Sequence, residues 1–186
     1  MATFFPALSP ELTSFAQSQP IFFVATAPLD GRVNLSPKGM DSLRVIGPNR
    51  ILWLNLTGSG NETAAHVLEN GRMTLMWCAF TGKPLILRAY GTAQTFHPGE
   101  DGFTERAVHL PDWPGTRQIF EMAVEQVQTS CGYAVPFMDF REERTRLVDS
   151  NAKQGPAGIH KYQQRKNRVS IDGLPTGLPQ DDAALA

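Results

Sequence analysis

A buried strand that runs through a glycine turn into a helix constrains this sequence more than any other feature. Residues 51–56 are continuously apolar apart from one asparagine, residues 57–60 are the turn Thr-Gly-Ser-Gly, and a helical pattern starts near Glu62. Gly58 and Gly60 can adopt backbone conformations that are closed to other residues. The first turn of a helix also offers unpaired N–H groups at the positive end of its dipole. The segment therefore predicts an anion site, such as a phosphate cradle.

Polar side chains around this turn strengthen the prediction. Thr57, Ser59, Asn61 and Thr63 carry hydroxyl or amide groups that can assist backbone amides in binding phosphate oxygens, and Asn61 can alternatively cap the helix. The turn is not a dinucleotide fingerprint, because Thr63 replaces the third glycine, and it is not a P-loop. A flexible turn without a ligand remains the alternative interpretation.

Lys38 is a second candidate binding residue. It lies in the segment Ser36-Pro37-Lys38-Gly39, directly after a predicted hairpin. Lysine suits the stabilisation of negative charge on a phosphate or an electron-rich ring. The alternative is a solvated lysine in a turn.

Composition limits the possible partners and the compartment. The 186 residues include 41% hydrophobic residues, enough for one domain with a real core, and the net charge is −1, which gives no reason to expect nucleic acid or an anionic membrane as a partner. No N-terminal signal pattern or apolar stretch of membrane-spanning length is present, and two cysteines are too few for a disulfide scaffold. We expect a soluble, cytoplasmic protein. Cys131, at the end of a predicted strand, is expected to be buried and structural in preference to reactive.

The pattern of elements favours a small antiparallel barrel over a doubly wound nucleotide fold. Helices are expected from Pro10 up to Pro20, at about 62–69, around 103–110, from 141 to 147 after a cap at Asp139, and from Pro156 to 166. Strands are expected at residues 21–26, 33–36, 43–46, 51–56, 72–78, 85–93 and 119–130, with a break at 37–39. The last run alternates as a strand does, although its length would also suit a helix. The last dozen residues are expected to be a tail.

Metal and hydrolytic sites lack support in the sequence. The four histidines are not spaced as zinc ligands, neither cysteine belongs to a CxxC pair, and no serine lies in GxSxG. The histidines are His66, His97, His109 and His160.

Several short motifs occur in a recognisable order. They are Val24-Ala25-Thr26, Asp30-Gly31-Arg32, Leu35-Ser36-Pro37, Asn55-Leu56-Thr57 and Glu69-Asn70-Gly71-Arg72. Over roughly residues 20–95 this order resembles the pyridoxamine 5′-phosphate oxidase-like, FMN-binding split-barrel family. Residues 130–136 (SCGYAVP) and 166–175 look like signatures of an uncharacterised branch of that family.

The resemblance implies a fold, a cofactor and an assembly. The expected fold is mainly β with flanking helices, an antiparallel split β-barrel, with an N-terminal helix in residues 1–20, the FMN-binding barrel in 21–138, and C-terminal helices and a tail in 139–186. The expected assembly is a homodimer that binds two FMN molecules across its interface.

The resemblance also implies binding residues. The flavin edge is expected to contact Ser36, Lys38 and Gly39. The phosphate and ribityl chain are expected near Asn55, Thr57, Asn61, Glu62 and Thr63, with Glu62 contributing mainly its backbone N–H because a carboxylate repels phosphate. Ser130 and Cys131 are expected to approach the ring, with the partner subunit as one source.

Two departures from the family pattern bear on function. True pyridoxamine phosphate oxidases have an Arg-Lys pair where this chain has Glu62-Thr63-Ala64, and their C-terminal Arg-x-His clamp is missing here, which argues against vitamin B6 oxidation. The resemblance implies an FMN-dependent oxidoreductase that moves hydride or electrons between a nicotinamide or small organic substrate and an acceptor. The alternatives are a non-catalytic flavin, deazaflavin or haem binding protein of the same fold, and a structural dimer without flavin.

Overall fold

A computed structural model describes residues 2–180 as one antiparallel sheet with flanking helices. The strands are β1 (Thr3–Phe5), β2 (Ile21–Thr26), β3 (Asn34–Gly39), β4 (Leu43–Gly47), β5 (Arg50–Leu56), β6 (Arg72–Cys78), β7 (Ile86–Phe96) and β8 (Thr116–Ser130). The helices are α1 (Pro10–Ser18), α2 (Glu62–Asn70), α3 (Phe103–Ala107) and α4 (Arg146–Lys166). None of these helices is long and apolar enough to cross a lipid bilayer.

The strands follow the order β3-β2-β6-β7-β8-β5-β4, with β1 paired to the far end of β8. Every pairing is antiparallel. The predicted mainly β, antiparallel fold is therefore confirmed. β3 stands at one end of this order and β5 near the other, so curling of the sheet brings them to the same cavity.

Strand β5 is buried because the protein covers both of its faces. Ile51 and Trp53 pack in the main core with Phe120 of the neighbouring β8. Leu52 and Leu54 point the other way, into a smaller cluster that α3 and the following loop complete. This arrangement explains the continuous apolar run, since a strand covered on both faces has no polar side. The run ends at the glycine turn, which β5 holds at the edge of the core.

Local signals place both early helices correctly. The Oγ of Ser9 accepts a hydrogen bond from the Leu12 N–H at 3.3 Å, which caps α1, and Pro10 is its first residue. Helix α2 ends at Gly71, whose φ of 71° is the left-handed conformation that favours glycine at this position. Its N–H donates to the Val67 carbonyl at 3.0 Å.

Strand β3 continues through the predicted break at residues 37–39. Pro37 pairs with Phe23, and Gly39 pairs with Ile21 at the end of the strand. Proline interrupts a central strand because it lacks an N–H, but β3 has a neighbour on one side only and tolerates it. The extension matters because it carries Lys38 along the sheet edge.

The C-terminal region differs most from expectation. The predicted helix over 141–147 with a cap at Asp139 is wrong: residues 139–145 are not helical, and α4 starts at Arg146 after Thr145. The charged segment 141–144 has no apolar face to pack against the core, and such a short helix is not stable alone. The helix predicted from Pro156 does start there, because Gly155 (φ 64°, ψ 171°) breaks α4 into two parts.

Two further expectations need correction. β1 was not predicted, since its three residues carry no alternation that distinguishes a strand. The first part of the expected tail packs against the protein, since Thr176 and Leu178 are buried. Residues 181–186 lie outside the described part of the chain. The proposed division at residues 20 and 138 stays a prediction.

Candidate functional site

A cavity of about 470 Å³ lies between β3, the end of β5 and the glycine turn that leads into α2. Seven predicted binding residues line it: Ser36, Lys38, Gly39, Asn55, Asn61, Glu62 and Thr63. The turn glycines Gly58 and Gly60 line it as well. The structure therefore brings the predicted ring-binding and phosphate-binding segments, which are about 20 residues apart in the chain, to one site.

Lys38 lies at the edge of this cavity and is partly buried. Its Nζ donates a hydrogen bond to the Asn55 Oδ1 at 3.5 Å and stands 5.4 Å from the centre of the Trp53 ring. Burial, with a smaller contribution from the positive charge of Arg117, lowers the pKa of Lys38 to about 8. The interpretation of Lys38 as a solvated lysine in a turn is wrong, because the side chain lies against the strands of the sheet.

A polar network from β3 to α2 forms part of the cavity lining. The Ser36 hydroxyl donates to the Asn34 Oδ1 at 3.0 Å, and the Asn34 Nδ2 donates to the Thr63 hydroxyl at 3.2 Å. Sequence reasoning missed Asn34, although its position two residues before Ser36 places both side chains on the same face of a strand. The network fixes the start of α2 relative to the sheet edge.

Thr57 does not line the cavity; it bonds the turn to neighbouring parts of the protein. Its N–H and its hydroxyl both donate to the Gly115 carbonyl, at 2.7 and 2.9 Å, and its Oγ1 accepts from the Gln163 side chain at 2.7 Å. The Thr57 hydroxyl is therefore already hydrogen-bonded to other residues of the protein. The turn is thereby tied to the loop before β8 and to α4.

The conformation of the turn differs from the expected one. Neither Gly58 nor Gly60 adopts the left-handed conformation, and a methyl group on Gly58 would lie 4.0 Å from the Leu56 carbonyl oxygen. Asn61 makes no side-chain cap to α2. Its Nδ2 donates to the Asn167 carbonyl at 3.1 Å, and its Oδ1 accepts from the Gln118 Nε2 at 2.7 Å. The first amides of α2 thus have no side-chain cap.

A C-terminal strap, residues 167–180, holds the outer side of this turn. The buried Asn167 donates from Nδ2 to the Gly58 carbonyl at 2.9 Å, and its own carbonyl also accepts from the Thr176 hydroxyl at 2.7 Å. Asp172 of the strap forms an ion pair with Arg32, before β3. Residues 166–175 resembled a family branch in sequence, but that resemblance carried no information about this contact.

The Glu62 carboxylate turns toward the strap. Its Oε2 accepts a hydrogen bond from the Ile171 N–H at 3.0 Å. A carboxylate held in this way is satisfied by the protein and directed to the backbone of the strap. The hydrogen bond engages only Oε2, and the carboxylate keeps its negative charge beside the turn.

Arg117 is the main site residue that sequence reasoning missed. It lines the cavity from the start of β8, only 3% exposed, and its Nε and Nη1 have no hydrogen-bond partner. Burial lowers the pKa of Arg117 to about 10. The available signal was a lone arginine two residues before the buried pair Ile119 and Phe120, where a strand core normally excludes charge.

Ser130 and Cys131 lie outside this cavity. Ser130 ends β8, pairs with Ile86 and accepts a hydrogen bond from Arg88 at 3.3 Å. The expected burial of Cys131 is wrong: it is an exposed free cysteine, because β8 ends one residue earlier. A contribution of these residues to a partner's site stays a prediction.

Among residues 2–180, no histidine lines the cavity. The buried His66 pairs with Thr26 at 3.0 Å, and His97 pairs with Glu100 at 3.2 Å. In the same described range, no group of three His, Cys, Asp or Glu side chains is arranged to hold a metal ion.

Comparison with known proteins assigns the family. A family model described as pyridoxamine 5′-phosphate oxidase matches residues 8–131, which include the cavity-lining strands and the turn. This chain belongs to the pyridoxamine 5′-phosphate oxidase family. The family protein ustO of Aspergillus flavus is 33% identical over 196 residues, covering 94% of this chain and 78% of that protein. The resemblance noted from the sequence is therefore confirmed.

Solved structures show the same fold at low sequence identity. A protein of Lactobacillus delbrueckii, described as a candidate pyridoxamine 5′-phosphate oxidase, superposes with a TM-score of 0.53 at 20% identity, covering 66% of this chain and 94% of that one. HupZ of Group A Streptococcus, in variant form, gives a TM-score of 0.52 at 19% identity, covering 66% and 99%. These matches support the split-barrel fold.

Proposed function

We propose that this family member binds FMN in the cavity and acts as an oxidoreductase, moving hydride or electrons between a nicotinamide or small organic substrate and an acceptor. The observation that carries the proposal is the meeting of the glycine turn and the Lys38 ammonium at one cavity. Its volume of about 470 Å³ falls in the range of about 300–1,000 Å³ that is usual for cofactor and ligand pockets.

The lining residues fit the two ends of FMN. The first turn of α2 and residues 58–60 suit the phosphate, because no side chain caps the helix start and the turn lines the cavity. Ser36 and Lys38 suit the ring edge, where a hydroxyl and an ammonium can meet its polar atoms. The Nε and Nη1 of Arg117, which have no hydrogen-bond partner, further support an anionic ligand at this cavity.

The chemistry would come from the flavin, and the protein would position it and adjust its charge. A bound flavin accepts a hydride or electrons and passes them on. Lys38, with a pKa of about 8, is mostly protonated near neutral pH and places positive charge beside the cavity. Such a charge stabilises negative charge gained on reduction. The C-terminal sequence has no Arg-x-His substrate clamp, which supports a substrate other than a vitamin B6 phosphate.

We also propose that the protein works as a homodimer in the cytoplasm. Exposed apolar side chains in the segment after β8 and on β3 support a second copy as the covering surface: Leu35, Tyr133, Phe137, Met138 and Phe140. Both cysteines are free, with Cys131 exposed, which suits a reducing compartment.

The visible absorption spectrum tests the proposal. Protein is purified without added cofactor, and a second sample is incubated with FMN and passed through gel filtration. We expect stoichiometric flavin bands in the second sample and their loss on anaerobic addition of NADH or NADPH, or of a small organic donor found by screening.

Three outcomes would point elsewhere. A colourless protein that does not retain FMN contradicts the proposal. A Soret band favours haem. Flavin bands that no donor bleaches favour a storage or carrier protein, which is the non-catalytic alternative.

A further inference from the structure

Arg117 is a buried cation without a counter-charge in the part of the chain that the structure describes. Its side chain is 3% exposed, two of its nitrogen atoms lack hydrogen-bond partners, and no carboxylate of residues 2–180 forms an ion pair with it. An arginine stays protonated at physiological pH, and a buried charge without a partner is costly. Where such a group lines a cavity, it indicates a site at which a ligand supplies the missing charge.

The position of Arg117 relates it to the glycine turn. Gly115 accepts both hydrogen bonds from Thr57, and the next residue, Thr116, pairs with Leu56 at the end of β5. Arg117 therefore follows the two residues that fix the base of the turn. Its side chain lines the same cavity as Gly58 and Gly60.

The charges around the cavity select an anion. Lys38 is a second cation, and the two are close enough for the charge of Arg117 to lower the pKa of Lys38. Glu62 is the acidic residue of the lining, and its carboxylate is bonded to the Ile171 N–H. Lys38 is held by Asn55 at the sheet edge, whereas Arg117 emerges beside the turn. Both cations therefore line one cavity, and Arg117 is the one that follows the residues at the base of the turn.

We propose that Arg117 is the cation that binds the phosphate group of the cofactor, together with the amides of the turn. This inference deepens the proposed function and rests on it. It gives the phosphate a positive partner from β8 in a chain whose turn, Glu62-Thr63, contains none. Guanidinium groups suit phosphate because they present several N–H donors in one plane.

The test distinguishes binding of the phosphate group from binding of the flavin ring. Affinities for FMN and for riboflavin, which lacks the phosphate, are measured by flavin fluorescence quenching for the wild type, Arg117→Gln and Arg117→Lys. Arg72→Gln, an exposed position outside the cavity, is the matched charge control. Thermal unfolding of each variant is followed without ligand and with inorganic phosphate.

We expect Arg117→Gln to weaken FMN binding by roughly 10- to 100-fold and to leave riboflavin binding unchanged. Arg117→Lys should recover part of the loss, and Arg72→Gln should match the wild type. The unfolding temperature of the ligand-free Arg117→Gln protein should equal or exceed that of the wild type, because the substitution removes an unpaired buried charge. If Arg117 had a purely structural role, the substitution would instead lower the unfolding temperature.

Equal losses for FMN and riboflavin would assign Arg117 to the ring and overturn the inference, as would no loss for either. A wild type that binds neither flavin would contradict the proposed function instead. In that case, stabilisation by inorganic phosphate that disappears in Arg117→Gln still supports the phosphate site, and its absence from the wild type overturns it.

Discussion

The Nζ of Lys38 lies 3.5 Å from the Oδ1 of Asn55, and this hydrogen bond joins two strands that are not neighbours in the sheet. Lys38 is on β3 and Asn55 on β5, separated in the strand order by β2, β6, β7 and β8. The contact bridges the curled sheet beside the cavity. It also orients the ammonium, whose pKa is lowered to about 8, toward the same space that the turn borders.

The affinity for FMN should fall as the pH rises through about 8. Burial lowers the pKa of Lys38 from 10.5 to about 8, so the ligand-free protein loses this positive charge above that pH. An anionic ligand favours the protonated lysine, and its binding weakens once the proton must be taken up from solution. Fluorescence titrations from about pH 7 to about pH 9.5 measure this dependence.

The control for this prediction is Lys38→Met, which should bind FMN more weakly near neutral pH and show no decline centred on pH 8. A decline of the same size in Lys38→Met would assign it to another group. Wild-type FMN affinity and turnover in that variant would mean that Lys38 has no role in binding or catalysis.

Alanine substitutions at two glycines should have opposite effects. A methyl group on Gly58 meets open space at the cavity wall, with the Leu56 carbonyl 4.0 Å away. We expect Gly58→Ala to keep or raise the free energy of unfolding by up to about 1 kcal/mol, and to weaken FMN binding roughly 10- to 100-fold because the methyl occupies ligand space.

Gly91→Ala is the matched comparison, because its methyl group would overlap the Ala123 carbonyl beside a bulge between β7 and β8. It should cost about 3 kcal/mol of stability in urea unfolding. If Gly58→Ala retained full FMN affinity, the turn would not be part of the cofactor site.

Asn167→Ala should loosen the glycine turn. The substitution removes the hydrogen bond to the Gly58 carbonyl, which is made by a fully buried side chain, and we expect a loss of about 1–3 kcal/mol in stability. Hydrogen exchange followed by mass spectrometry should show faster exchange in residues 57–61. Gln164→Ala, which removes an exposed hydrogen bond to Pro179, should change neither measurement. Unchanged protection in Asn167→Ala would mean that the strap does not order the turn.

Phe137→Glu should weaken the homodimer. Phe137 is 85% exposed, and a second copy would bury it in the proposed interface, where a carboxylate would be left without a partner. Sedimentation velocity should show a shift toward monomer at concentrations where the wild type is dimeric. Val108→Glu, at an exposed valine directly after α3, is the control and should stay dimeric. A monomeric wild type would contradict the proposed assembly.

The sequence alone determined the elements whose signals are local. Ser9 and Pro10 start a helix, Gly71 ends one, and the apolar run of residues 51–56 forms the buried β5, because each depends on neighbours within a few residues. The ordered motifs also identified the family correctly. They predicted that the segment around Lys38 and the glycine turn belong to one site.

Only the tertiary structure decided what surrounds that site. Arg117 reaches the cavity because β8 pairs with β5, and Asn167 reaches Gly58 across 109 positions of the chain. The exposure of Cys131 and the burial of Lys38 likewise depend on where the sheet ends and curls. Periodicity and capping report contacts between close neighbours in sequence, whereas these features come from packing between distant segments, which leaves no local pattern.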